Sequence, residues 1–222
     1  KEEPAGGGPA DGQPGGCPPP LTFVPTGFNA LRGRLLTPAV DFDPSGKDGS
    51  CVVLWMSRDQ RSVDNHALIY AQGLANQRNV PLKVVFNLVP KFLDATLRSF
   101  HFMLKGLEEV EKNLRDLGIP FYLLKGDPTV TVPGFIQDHD AAAIVCDFAS
   151  VRVPIMWTSS VATTMNQRNV PMIQIDAHNV VPCFHASPKL EYSARTIRSK
   201  INALLPQFLN DDMPALAPNA TQ

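Results

Sequence analysis

The sequence predicts an α/β fold, a doubly wound sheet of five parallel strands. The first observation is that, from residue 51 onward, short apolar runs rich in β-branched residues alternate with longer helical patterns, as is typical of βα units. The second is that these runs lack clean polar alternation, which indicates strands buried on both faces. Right-handed crossovers between such strands place helices on both sides of the sheet.

The apolar runs define the strands in chain order. They span Cys51–Met56, Leu82–Leu88, Phe121–Leu124, Ala143–Phe148 and Met172–Ile175. Apolar residues spaced by three and four from Phe100 to Leu117 predict a long amphipathic helix between the second and third strands. The remaining helices are predicted over Asn65–Asn79, Val153–Gln167 and Ala194–Leu209, with Pro206 kinking or ending the last one.

A repeated hexapeptide supports this order of elements. Asn76–Pro81 recurs letter for letter as Asn166–Pro171, and Gly118–Pro120 is a third variant. Each copy is predicted to end a helix and open a strand, because a proline at the first residue of a strand forfeits no ladder hydrogen bond.

The first 50 residues differ in composition from the rest. They contain 9 Pro and 10 Gly, so they bury too little apolar surface to offset the entropy of ordering. Residues 1–50 are therefore predicted to be a flexible leader, within which residues 21–37 could dock on the domain as an arm. Because the chain begins with Lys1, a fragment or a processed chain is expected.

The composition of the chain excludes several classes of function. The 222 residues carry 20 basic and 21 acidic side chains, which excludes a whole-domain basic field able to hold nucleic acid by phosphate contacts alone. No apolar run approaches the roughly 18 residues that a membrane-spanning helix needs, so no membrane association is expected. The four cysteines lack CxxC spacing, which favours a reducing, intracellular compartment, with the nucleus and an organelle both left open.

The turn after the first strand carries the most informative motif, from Trp55 to Leu68. In an open α/β sheet this turn lies at the carboxyl edge, where ligands bind. It contains no glycine, so it is neither a dinucleotide fingerprint nor a phosphate-binding loop. A purely structural interpretation is a network of Arg–Asp ion pairs, with Asp64 capping the next helix.

The motif Trp-x-x-Arg-Asp-x-Arg-x-x-Asp-Asn-x-Ala-Leu resembles the opening motif of the photolyase/cryptochrome family, and its Trp-Met-x-Arg-Asp-Gln-Arg form resembles the class II cyclobutane-pyrimidine-dimer photolyases. A second block, from Asp176 to Lys200, is similar to the class II sequence where the α/β domain passes into the linker. The resemblance covers residues 51 to about 209. The sequence departs from the family pattern at His66 and in the run 183–185, where that pattern has tryptophan.

The resemblance implies a Rossmann-like photolyase N-terminal antenna domain over residues 51–185. Residues 186–222 would then begin a linker to a helical domain that holds FAD and lies outside this sequence. The implied function is light-dependent DNA repair by a deoxyribodipyrimidine photo-lyase, whose helical domain binds UV-damaged DNA and flips the dimer out. The chain alone is expected to be monomeric and to lack repair activity. Its expected partner in the full protein is the C-terminal domain.

Two other functions are left open. A cryptochrome-like blue-light photoreceptor without repair activity would share this fold and differ mainly in the helical domain. A free-standing nucleotide-binding domain is disfavoured, because the sequence has no phosphate loop.

The resemblance also implies which residues hold a deazaflavin-type antenna chromophore. The candidates are Met56, Arg58, Phe86, Arg98, Asp147 and Phe148. Arg98 would pair with an acidic tail and Asp147 would accept hydrogen bonds from the ring, although core packing of the two phenylalanines and a helix cap at Asp147 are alternatives. Trp55 and Trp157 are expected to pack in the core, and neither catalytic nor metal-binding residues are predicted.

Overall fold

The structure is a computed structural model that describes residues 18–46, 49–209 and 213–219. Its strands are β1 (Gly33–Leu35), β2 (Cys51–Met56), β3 (Leu82–Leu88), β4 (Phe121–Lys125), β5 (Ala141–Asp147) and β6 (Met172–Ile175). Its helices are α1 (His66–Arg78), α2 (Leu97–Asp116), α3 (Pro128–Asp138), α4 (Arg152–Gln167), α5 (Cys183–Ala186) and α6 (Ala194–Phe208).

The sheet has the strand order β1-β6-β5-β2-β3-β4. Strands β2 to β6 are mutually parallel, and the chain leaves the central β2 first toward β3 and β4 and later toward β5 and β6. The direction of winding therefore reverses between β2 and β5, which is the switch point where ligands bind in such sheets. This confirms the predicted doubly wound α/β fold.

Both faces of the sheet are buried, as the uninterrupted apolar strands predict. Along β2, Val52, Leu54 and Met56 belong to the core on the side of α1 and α2, whereas Val53 and Trp55 belong to the core formed with α3 and α4. Alternate residues of a strand point to opposite faces, so a strand covered on both sides must be apolar at every position.

The edge strand β1 was not predicted. Gly33–Leu35 pairs antiparallel with Ile173–Ile175, and a Cβ at Gly33 would stand only 2.3 Å from the side chain of Leu21. Phe28 and Arg32, just before this strand, are buried. Packed structure therefore begins before the predicted boundary at residue 50, whereas residues 1–17, which carry most of the predicted flexibility, lie outside the described residues.

Helix α3 was also not predicted, because its sequence contains two prolines and several β-branched residues that disfavour helices. Pro128 stands in the first turn, where its missing N–H is not needed, and the side chain of Asp127 caps the helix by accepting from the Thr129 amide. Burial of Val132, Phe135 and Ile136 against the sheet offsets the poor propensity.

The repeated hexapeptide ends its helices as expected. Asn79 and Asn169 adopt left-handed conformations with φ of 55° and 57°, and Gly118 of the third variant has φ 69°. At each site the amide of the following residue donates to the carbonyl five positions earlier, at 2.9–3.0 Å. This pattern satisfies carbonyls that the helix end would otherwise leave open.

The predicted linker region is partly packed onto the domain. Helix α6 continues through Pro206 to Phe208, so the prediction that the proline ends the helix is wrong, while the alternative of a kink stays a prediction. Beyond it, the segment 213–219 returns to the face covered by α1 and α2, where Met213 and Leu216 contact the core. In the described parts of the chain, no helix is long and apolar enough to cross a lipid bilayer.

Side-chain amides hold this returning segment. The Asn219 amide bonds both backbone groups of Leu82, accepting from its N–H at 2.8 Å and donating to its carbonyl at 3.1 Å, as a neighbouring strand would. It also donates to the Gly118 carbonyl at 3.1 Å. The Gln72 amide exchanges two hydrogen bonds with the backbone of Ala217, at 2.7 and 2.9 Å.

Candidate functional site

A cleft of about 410 Å³ opens at the carboxyl edge of the sheet, beside the switch point. The ends of β2 and β3, the loop that follows β3, and the first turns of α2 and α4 form its walls. Most of its surface is apolar, and the larger side chains that line it are Trp55, Met56, Phe86, Phe92, Phe100 and Trp157. A volume and lining of this kind suit a flat, conjugated small molecule.

Three of the six predicted ligand residues line this cleft. Met56 and Phe86 are paired across β2 and β3 and form its buried floor, and Arg58 is exposed at its rim. The other polar residues that line the cleft are Ser57, Gln60, Asn87, Ser99, Ser150 and Thr158. Polar groups at the edge of an apolar cleft orient a ligand, while its rings bury their faces against aromatic walls.

Trp157 lines the cleft and also packs against the core on the side of α3 and α4, as the sequence predicted. It lies on α4 and its ring approaches the ring of Phe92 at 5.9 Å between centroids, with an interplanar angle of 51°. Trp55 is both a core residue and a cleft residue: it is only 4% exposed, and it also borders the cleft. The apolar residues of α4 repeat too weakly along the sequence to show which face of that helix meets a ligand.

Arg98 and Phe148 do not line the cleft. Arg98 is exposed in the first turn of α2, directly before Ser99, which does line it. Phe148 packs edge-on against Phe184 of α5 at 5.9 Å, and the guanidinium of Arg34 lies over that second ring at 5.5 Å. Phe148 is therefore a half-buried residue that packs against α5 and does not belong to the buried core of the sheet.

Asp147 is likewise absent from the cleft wall. It ends β5, and its Oδ2 accepts from the backbone N–H groups of Ser57, Arg58 and Asp59 at 2.8, 2.9 and 3.2 Å. It does not cap α4, which begins after Val151 without a side-chain cap. Burial raises the pKa of Asp147 to about 6, with a further increase from the Asp59 carboxylate, and the three N–H groups oppose this increase.

The rest of the first motif builds the loop between β2 and α1. The expected ion pair of Asp59 and Arg61 is present at 3.5 Å, and Asp59 Oδ1 also meets His178 Nδ1 at 3.1 Å. Asp64 is not the helix cap: it has a left-handed backbone with φ 50°. Asn65 caps α1 instead, by accepting from the Leu68 amide at 3.1 Å.

The second motif forms a similar loop after β6. Asp176 is fully buried and accepts from the backbone N–H groups of His178, Asn179 and Cys183 at 3.2, 3.0 and 2.9 Å. Farther along, Glu191 is bonded by Ser187 and Lys200. Asp176 thus organises the backbone of its own motif, whereas the loop of the first motif is held by Asp147, which lies outside that motif. The described residues contain no group of three His, Cys, Asp or Glu placed to bind a metal ion.

Comparisons with known proteins identify the family to which the chain is similar. The chain matches the family model of DNA photolyase over residues 52–219. It is 46% identical over 189 residues to the deoxyribodipyrimidine photo-lyase of Potorous tridactylus, and 48% identical over 167 residues to that of Arabidopsis thaliana. The protein of the same name from Methanothermobacter thermautotrophicus is 37% identical over 161 residues.

These alignments cover 85%, 75% and 72% of this chain, and 35%, 33% and 35% of the respective relatives. The chain therefore spans about a third of the length of the relatives that it matches. Because the family model extends over most of the described sheet and helices, this chain belongs to the DNA photolyase family.

Proposed function

We propose that this chain is the antenna domain of a class II photolyase that repairs cyclobutane pyrimidine dimers in DNA by using light. The observation that carries the proposal is an aromatic-lined cleft at the switch point in a chain of this family. The proposed domains are the α/β unit to residue 185 and a linker from residue 186. The helical domain that follows in the full protein would hold FAD and UV-damaged DNA.

The cleft residues support a role in light harvesting. An antenna absorbs light and passes excitation to a flavin nearby, which requires a fixed orientation and no bond-making side chain. Phe92 and Trp157 would stack on a deazaflavin ring, and Met56 and Phe86 would close the floor beneath it. Arg58 would bond polar groups at the ring edge, while an acidic tail leaving the mouth would come near the exposed Arg98.

A titration with a deazaflavin tests the cleft. We expect saturable binding to the wild-type chain and a loss of affinity of about fivefold to tenfold for Phe92→Ala, because one ring contact contributes roughly 1 kcal/mol. Phe184→Ala is the matched control: it removes an equally half-buried ring that packs on Phe148, outside the cleft. Absence of saturable binding to wild type, or equal losses in both variants, would contradict the antenna assignment.

A repair assay on the full-length protein distinguishes DNA repair from light sensing without repair. Illumination with blue light in the presence of dimer-containing DNA is expected to restore intact pyrimidines, as the names of the relatives above lead us to propose. A protein that absorbs blue light and leaves the dimers intact would instead be the cryptochrome-like photoreceptor.

A further inference from the structure

Asp147 connects the two sides of the switch point. It is the last residue of β5 and only 2% exposed, while the loop that it bonds follows β2 on the other side of the crevice. One oxygen, Oδ2, receives the three consecutive N–H groups of Ser57, Arg58 and Asp59 at 2.8–3.2 Å. Successive backbone N–H groups that converge on one point form a concave site for an anion.

The nest lies directly after the central strand β2, at the switch point of the sheet. In open α/β sheets, the backbone N–H groups after a central strand at the switch point are the groups that bind ligand phosphates. In this chain the nest already contains a carboxylate that the protein supplies itself. The loop also has no glycine between Ser57 and Asn65, so a phosphate would find neither a free donor set nor room for close approach.

We propose that Asp147 is a built-in anion that fills the backbone nest after β2, and so determines that ligands of the adjacent cleft bind without a phosphate or carboxylate at the switch point. Asp147 is thus a positioning and specificity-determining residue. Through the loop it places Arg58 and Gln60, which line the cleft. The inference does not depend on which chromophore binds, because it concerns the nest rather than the cleft.

The surrounding charges support exclusion of anions from the nest. Asp59, the last donor of the nest, carries a second carboxylate that is also buried, and it adds to the increase in the pKa of Asp147 that burial mainly causes. The cations nearest along the chain, Arg58 and Arg61, are both exposed. An incoming phosphate would therefore have to displace one buried acid beside another.

Replacement of the carboxylate by a small anion tests the proposal in the 222-residue chain. The melting temperature of Asp147→Ala is expected to rise by about 3 °C in formate, relative to chloride at equal ionic strength, because the anion refills the nest. Asp147→Asn is the matched control, since its amide keeps the volume filled and leaves no room for formate. Wild type is expected to show no specific response to inorganic phosphate.

The proposal would be overturned if formate did not raise the melting temperature of Asp147→Ala, or if it raised the melting temperatures of both variants equally. A specific stabilisation of wild type by inorganic phosphate would overturn it as well.

Hydrogen exchange gives a second measurement that needs no alanine variant. In wild type the amides of residues 57–59 are expected to be protected although they lie in a loop, and to exchange about tenfold faster in Asp147→Asn. The amide of Thr129, which Asp127 holds at the start of α3, is the internal control and should not change. Free exchange of all three loop amides in wild type would mean that no filled nest exists.

Discussion

At the scale of single residues, His66 shows how the fold sets a protonation state. It opens α1, is 8% exposed, and meets the ring of Phe28 edge-on at 6.2 Å. Burial lowers the pKa of His66 to about 4, and the cations Arg32 and Arg61 act in the same direction against the opposing Asp176. In the unfolded chain the pKa returns to about 6.5.

The sign of the resulting pH dependence follows from proton uptake. Between about pH 6.5 and pH 4 the unfolded chain binds a proton at His66 that the native state excludes, so the free energy of unfolding falls as the pH falls. Asp147 acts in the opposite direction, because its raised pKa of about 6 makes the native state bind a proton more readily than the unfolded chain. A comparison of variants is therefore needed to isolate His66.

We predict that His66→Phe removes the destabilisation contributed by this histidine. The stability of wild type relative to His66→Phe should fall by about 2 kcal/mol between pH 7 and pH 5, measured by urea unfolding at both values. His101→Phe, on the exposed face of α2, controls for histidine removal. A constant difference between wild type and His66→Phe at the two pH values would show that folding does not shift the pKa of His66.

At the scale of the elements, the helix ends depend on two asparagines in left-handed conformations. Such a conformation costs an ordinary L-residue roughly 1–2 kcal/mol, whereas glycine and asparagine adopt it more readily. Asn169 ends α4 in this way, while Asn166, in the same hexapeptide, lies within the helix. The two positions therefore test the motif with one residue type.

We predict that Asn169→Ala lowers the melting temperature by about 3 °C and that Asn169→Gly does not lower it. Asn166→Ala should be neutral or slightly stabilising, because alanine is the better helix former. Thermal unfolding of the three variants under identical conditions is the measurement. Equal losses at both positions would show that the left-handed cap is not what the asparagine provides.

At the scale of the whole molecule, the segment 213–219 fastens the linker to the sheet. Its hydrogen bonds reach Gln72 on α1 and Leu82 at the start of β3, more than a hundred residues away. Pairing of β3 with β4 begins only at Val84, so the segment supplies the partners that the N–H and C=O groups of Leu82 would otherwise lack. Residues 213–219 are thus packed onto the α/β unit.

We predict that Asn219→Ala destabilises the chain by about 1–2 kcal/mol, because the backbone groups of Leu82 lose their partners. Asn202→Ala, on an exposed position of α6, should have little effect. Urea unfolding of both variants is the measurement. If the two variants unfold at the same midpoint as wild type, the segment does not contribute to folding.

The sequence by itself determined the parallel sheet, its central strand and the carboxyl-edge location of the motif after β2. These follow from local patterns, because a strand buried on both faces must be apolar throughout and a helix on its surface must repeat every three to four residues. Met56 and Phe86 were instead predicted from the family resemblance, and both lie near the carboxyl ends of their strands at that edge. The capping hexapeptide is also a local signal.

Only the tertiary structure decided the roles of β1, Trp157 and Asp147. A three-residue strand has too little sequence to show a period, and its pairing with β6 spans about 140 positions. Which face of α4 turns Trp157 toward the cleft depends on how that helix packs on the sheet. The hydrogen bonds of Asp147 to the loop after β2 join residues 88–90 positions apart. Such contacts depend on chain geometry across the sheet, and no local pattern of residues specifies them.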